Sequence, residues 1–134
     1  MKKASNPFGL HTITPYMLVE NVPELIAFLK NVFEVVPRGE IKYRDDNSVQ
    51  HTEIQIGDSV IMMGEPSPEF PDVKTTKCGM YIYVDDCDAV YEKALAHGGR
   101  SISEPADYPH GDRFAGIEDF AGNTWWIVTH IENQ

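Results

Sequence analysis

The sequence predicts an α+β fold of two tandem β-α-β-β-β modules, with curved sheets around a cleft and the helices outside. Three observations carry this. Apolar residues pass from a period of two to a helical period and back, twice along the chain. The second half repeats the first: Tyr16-Met17-Leu18-Val19-Glu20-Asn21 stands against Tyr81-Ile82-Tyr83-Val84-Asp85-Asp86, an offset of 65. Between the halves, Glu65 to Lys77 carries Pro66, Pro68 and Pro71 without periodicity, as a linker does. Residues 11–64 are therefore expected to form the first module, 65–77 the linker and 78–131 the second module of one structural domain.

The elements follow in order. Ile13 to Val19 reads as a strand, ended by Glu20-Asn21. Leu25, Ile26, Phe28, Leu29, Val32 and Phe33 then recur on one helical face. Asn21 with Glu24 resembles a capping box, and Pro23 suits the first turn. Strands are predicted at Arg38–Tyr43, at Val49–Ile56 after the turn Asp45-Asp46-Asn47, and at Ser59–Met63 after Gly57-Asp58. In the second half Gly79–Val84 is a strand and Asp85 an N-cap. The helix through Ala89, Val90, Lys93, Ala94 and Leu95 stops at Gly98-Gly99. Arg100–Glu104, Arg113–Ile117 and Thr124–Thr129 complete the module.

Composition narrows the function. The chain has 134 residues, enough for a core without staples, and 11 basic against 21 acidic residues give a net charge of −10. Such a balance, without a basic stripe, speaks against nucleic acid and anionic membranes as partners. Cys78 and Cys87 lack zinc-motif spacing and read as reduced intracellular thiols. Lys2-Lys3 is followed by no apolar signal region, and no run approaches a membrane span, so a cytoplasmic protein is expected. No P-loop, dinucleotide fingerprint or nucleophile elbow is present.

The stretch from Gly111-Asp112-Arg113 through Glu118-Asp119-Phe120-Ala121-Gly122-Asn123-Thr124-Trp125-Trp126-Ile127-Val128-Thr129-His130 resembles the ending "GDR … DPFGNxWxIATH" of the PhnB-like branch of the vicinal oxygen chelate superfamily. Ala121 replaces the Phe that precedes Gly there, and Ile13-Thr14-Pro15-Tyr16 matches the branch's "ITPY" opening. The superfamily holds glyoxalases, extradiol dioxygenases, fosfomycin-resistance enzymes and bleomycin-resistance proteins. The resemblance spans residues 11–131 and implies a homodimer. It also implies a divalent metal held by His, Glu, Gln or Tyr on the first and last strands of each module. Carried over, those positions fall on Thr14, Met62, Gly79 and Trp126, none of them a credible ligand, so no metal or other cofactor is expected.

Alternation sorts the remaining side chains. Thr52, Ile54 and Ile56 face the helix, leaving His51, Glu53 and Gln55 toward the cleft. Tyr16, Tyr81, Tyr83, Trp126 and His130 share the cleft side, with Arg113 as a further polar group. His110 and Arg113 belong either to a loop fixed by a carboxylate or to one closing over ligand. Trp125 falls on the helix side, while Trp126 offers a stacking platform where a metal ligand would stand. The reading that follows is a metal-free small-molecule binding protein with an acidic, aromatic-lined cleft. The alternative is a lyase, isomerase or dioxygenase on a small oxygenated substrate, using His51 and Glu53 with or without an off-position divalent metal.

Overall fold

The structure, a computed structural model, describes residues 7–109 and 111–131. His110 lies outside the described residues. The elements are β1 (Tyr16–Leu18), α1 (Val22–Val32), β2 (Val35–Pro37), β3 (Lys42–Tyr43), β4 (Val49–Ile56), β5 (Ser59–Gly64), β6 (Gly79–Tyr83), α2 (Cys87–Ala96), β7 (Arg100–Asp107), β8 (Asp112–Glu118) and β9 (Thr124–His130). Two helices and two mixed sheets thus make the α+β fold of two modules. The chain divides into two compact units, Val35–Thr76 with the residues up to Val22, and Pro23–Glu34 with the residues from Lys77 onward. Compactness therefore cuts across the sequence repeat at α1. The Phe33 ring sits 5.4 Å from Trp125, so the end of the first module's helical stretch packs with the second sheet.

In the first unit the strand order is β1-β5-β4-β2, with β3 also paired to β4. β1 runs parallel to β5, and the other pairs are antiparallel. Alternation decides the faces: Met17, Ile61, Met63, Thr52 and Ile54 are buried, while Tyr16, Met62, His51 and Glu53 lie on the other side. The parity breaks at Val49, which is buried although it shares the parity of His51. The β3–β4 register skips Gln50, pairing Lys42 with His51 and Tyr43 with Val49, and this bulge turns Val49 inward. Glu65 ties the unit together, accepting from the Val49 and Val22 amides at 2.7 and 2.8 Å.

Two boundaries depart from expectation here. β1 begins at Tyr16 rather than Ile13, and Pro15 contributes only a carbonyl, to Met62. Of the strand expected over 38–43 only Lys42–Tyr43 forms, as β3, while β2 lies before it at Val35–Pro37. The Arg38 amide still donates to the Glu53 carbonyl, and Gly39 then takes φ +74°, turning the chain before Lys42.

The second unit's sheet has the order β6-β9-β8-β7, with β6 parallel to β9. Trp125, Ile127, Ala115 and Ile117 are buried on one face, and Tyr91, Ala94 and Cys87 are the buried residues of α2. Asp86, not Asp85, caps this helix, its carboxylate accepting from the Ala89 amide at 3.2 Å, three positions on as capping geometry requires. β7 continues past Glu104 to Asp107 because it is an edge strand, where Pro105 costs no ladder bond and bulges interrupt the register.

The turn before β9 explains much of the sequence ending. Asp119, 3% exposed, accepts from the Ala121 and Asn123 amides, from the Asn123 side chain and from Trp125 Nε1 at 2.9–3.2 Å. Asn123 Oδ1 in turn accepts from the Cys78 amide at 2.9 Å, joining the turn to the start of β6. These residues are scaffold: a buried carboxylate is satisfied by the donors that its own turn supplies.

Candidate functional site

Each sheet has one face that is mostly part-exposed, Val128 of the second sheet being fully buried there, and the site candidates divide between these two faces. In the first unit Tyr16, Met62 and Glu53 are strand neighbours in one row. The Tyr16 ring lies over Gly64, where a Cβ would meet its hydroxyl, and that hydroxyl donates to the Gln50 carbonyl at 3.3 Å. His51 stands beside Tyr16, ring centroids 5.9 Å apart, and its Nε2 is 3.1 Å from Glu53 Oε2. Arg38 Nε approaches the other Glu53 oxygen at 3.9 Å. The structure thus brings Tyr16, His51 and Glu53 together.

A cavity of about 290 Å³ adjoins Tyr16 but not His51 or Glu53, and is lined also by Leu18, Arg44, Gln50, Phe70 and neighbours. That volume is at the lower limit for a ligand pocket. The Arg44 guanidinium beside it is committed to Ser48 Oγ and to the carbonyls of Val49, Glu65 and Pro66. It anchors the linker to the β3–β4 hairpin.

The second unit's face is aromatic. Tyr81, Trp126 and Gly116 form one row, and Tyr83, Val128 and Phe114 the next. Phe114 meets Trp126 edge-on at 5.8 Å, lies 6.5 Å from Tyr81 and stacks on Tyr108 at 3.9 Å. Tyr81 and Tyr83 are in edge contact at 5.5 Å. Gly116 makes room for the indole: a Cβ there would fall 2.5 Å from the Trp126 ring. At the end of this face Asp112 pairs with His130 across the strands. Asp112 accepts from the Tyr81 hydroxyl at 2.8 Å and meets His130 Nδ1 at 2.8 Å. Partial desolvation, and then the bond to Asp112, push the Tyr81 phenol up to about 12. Tyr81, Tyr83, Trp126 and His130 are therefore neighbours on one face.

Arg113 is not among them. It alternates with Asp112 and Phe114, and its guanidinium binds Asp88 of α2 through Nε and a terminal nitrogen at 2.8 and 2.9 Å, and Asp107 at 3.0 Å. Expected as a polar group of the cleft, it lies instead on the helix side, because strand parity sends it with Ala115 and Ile117. These bonds hold Asp88 down to about 2. Asp112 is the functional candidate that the sequence reading passed over. Its signals were its parity with Phe114 and its place in Gly111-Asp112-Arg113, but its partners lie 31 and 18 residues away.

The metal implied by the resemblance can be tested on these donors. Register places Tyr16, not Thr14, beside Met62, and Tyr81, not Gly79, beside Trp126, since Thr14 precedes β1 and Gly79 pairs with Thr124. The row positions then offer a phenol and a thioether in one unit, and a phenol and an indole in the other. Among the described residues no three His, Cys, Asp or Glu side chains are grouped to share an ion. The positions that the resemblance assigns to the metal thus hold two phenols, a thioether and an indole, which do not make the His and carboxylate set of a catalytic divalent-metal site.

Comparison with known proteins places this geometry. The family model described as "Glyoxalase/Bleomycin resistance protein/Dioxygenase superfamily" matches residues 9–127. An uncharacterized protein of Mycobacterium tuberculosis is 23% identical over 121 residues, covering 84% of this chain and 71% of its own. The solved structure of a glyoxalase/bleomycin resistance protein/dioxygenase family enzyme from Burkholderia phytofirmans superposes with a TM-score of 0.67 at 18% identity, over 87% of this chain and 95% of that one. The PhnB protein of Bacillus cereus gives 0.64 at 19% identity, over 89% and 99%.

Proposed function

The chain belongs to the glyoxalase/bleomycin resistance protein/dioxygenase superfamily, and on that premise we propose that it is a metal-free binding protein for a small aromatic molecule. One observation carries the reading: Tyr81, Tyr83, Phe114 and Trp126 lie side by side on a sheet face whose opposite side holds the core. Tyr81 and Tyr83 are 49% and 64% exposed, so these rings are not there to pack the unit's interior. Such a platform stacks a flat ligand, and its polar rim orients it. Sequestration breaks no bond, so it demands neither the metal nor a catalytic group.

The same reading has the protein acting as a homodimer in the cytoplasm, with no nucleic-acid or membrane partner. The free thiols of Cys78 and Cys87 and the net charge of −10 support it. Among the described residues no helix is long and apolar enough to cross a membrane. A thermal-shift screen of small aromatic compounds, followed by titration of the hits, tests the proposal. Trp126→Ala is expected to weaken binding by about 1–3 kcal/mol; unchanged affinity would remove the platform from the site.

A second reading, an enzyme of the lyase, isomerase or dioxygenase type, has in its favour the 3.1 Å contact of His51 with Glu53 on the other face. It requires that His51→Ala and Glu53→Ala each abolish turnover of an oxygenated substrate in folded protein. Binding that survives both substitutions speaks for the first reading.

A further inference from the structure

The aromatic face of the second unit ends in a polar device built from three strands. His130 closes β9 opposite Asp112, the first residue of β8. The Asp112 side chain is 7% exposed, with one oxygen 2.8 Å from His130 Nδ1 and the other accepting from the Tyr81 hydroxyl of β6 at 2.8 Å. An ionised carboxylate only accepts, so the neutral imidazole keeps its hydrogen on Nδ1 and its lone pair on Nε2. The His130 side chain is 60% exposed. Its ring therefore presents one basic atom in a fixed orientation, with a carboxylate behind it to pair with an imidazolium. His51 has no such arrangement, because its Nε2 is the atom already engaged by Glu53.

We propose that the ligand of this face is a neutral phenol or enol, which binds with its ring against Phe114 and Trp126 and its hydroxyl on His130 Nε2. This rests on the reading that the aromatic face is the ligand site, and adds the ligand's chemical class and a proton transfer. Phe114 lies two residues from Asp112, about 7 Å along the strand, and Tyr108 covers one of its faces, so a six-membered ring seated on the Trp126 side of Phe114 carries its hydroxyl toward His130. The ligand O–H bond breaks and an N–H bond forms at Nε2. The electron pair stays on the ligand oxygen as phenolate or enolate. The imidazolium then stands between that anion and Asp112. Asp112 is a positioning residue, which fixes the imidazole and touches no ligand, and the Tyr81 hydroxyl holds Asp112 while its ring stays part of the platform. The titratable groups of this cluster among the described residues are Asp112 of β8, bonded to His130, Tyr81 of β6, bonded to Asp112, Tyr83 beside Tyr81, and Tyr108, whose amide donates to the Asp112 carbonyl.

The test titrates the full chain with 4-nitrophenol and with nitrobenzene, below the pH at which free nitrophenol ionises. Both are expected to bind, nitrophenol about tenfold or more tightly, with the yellow nitrophenolate absorbance appearing on binding. His130→Gln, a change at an exposed side chain, is expected to remove the absorbance and the preference while nitrobenzene binding persists. Asp112→Asn, checked for fold by circular dichroism, is expected to lose the absorbance and keep nitrobenzene binding. Equal binding of the two probes without nitrophenolate, or a nitrophenolate signal that survives His130→Gln, overturns the proposal and leaves the aromatic face as the ligand site. Failure of both probes to bind overturns the two together.

Discussion

Each sheet carries a tyrosine, a histidine and a carboxylate on its face away from the core, and the two sets are connected differently. In the first unit Tyr16 donates to a backbone carbonyl, and His51 meets a Glu53 that is 22% exposed and also faces Arg38. In the second, Tyr81 at the matching position of the repeat donates to Asp112, which also holds His130. The row neighbours differ in step: Tyr16 stands beside Met62 and Glu53, Tyr81 beside Trp126 and Gly116. A duplicated scaffold has kept a tyrosine in one place and changed its partner. Burial of the carboxylate makes the difference: a nearly dry Asp112 must be satisfied by fixed donors, whereas Glu53 shares its bonding with water.

Removing the two carboxylates is the strongest way to test that contrast. Asp112→Ala takes a buried carboxylate away from a half-exposed tyrosine and a half-exposed histidine and is expected to cost about 1–3 kcal/mol. Glu53→Ala is expected to cost less than about 1 kcal/mol. Urea unfolding of both variants measures the gap, and equal losses would mean that burial is not what separates the two clusters.

The glycines beneath the two ring systems come next. At Gly64 an added Cβ would lie 2.9 Å from the Gln50 carbonyl, which is backbone and cannot swing aside. Gly64→Ala is expected to lose about 1–3 kcal/mol. At Gly116 the obstacle is the part-exposed Trp126 ring, which can tilt. Gly116→Ala is expected to lose about 1 kcal/mol or less and to change tryptophan emission instead. An unaltered spectrum would mean that the indole does not rest on this strand.

The tyrosine's partner is open to alkaline titration. Tyr81, raised from 10.0 to about 12, favours the folded state fully below pH 10 and loses that contribution as pH rises toward 12. One of six tyrosines is therefore expected to ionise late by ultraviolet difference absorbance, and Asp112→Asn should bring it earlier. The smallest effect belongs to the exposed pair of Asp88 with Arg113. Asp88 is lowered to about 2 from 3.8, so its contribution is present above pH 3.8 and fades as pH falls toward 2. Acid titration of Asp88→Asn is expected to show a slightly flatter stability curve in that window, starting from slightly lower stability at neutral pH and meeting the parent near pH 2.

Much of this molecule is legible in its residues. Val49–Ile56 is a strand at both predicted ends, since a hairpin signal and a polar turn bracket it. The parity of Thr52, Ile54, His51 and Glu53 follows from alternation alone. Arg113 shared its parity with Ala115 and Ile117, so its departure from the cleft was also written locally. Boundaries were harder. The break at Gly39 and the bulge at Gln50 depend on how a strand meets its neighbour, which periodicity does not carry.

The sequence by itself determined the two-module order, the family, the buried faces and the aromatic character of the second sheet. Each is a matter of local period or of residues contiguous in a motif, where side-chain direction is set by the backbone of the same segment. Only the tertiary structure decided that Tyr81, Asp112 and His130 form one cluster, that Met62 and Trp126 stand beside tyrosines, and that Asp119 reaches Trp125. Strand register and the closure of turns select those partners, and register is fixed by burying one whole face of a sheet at once.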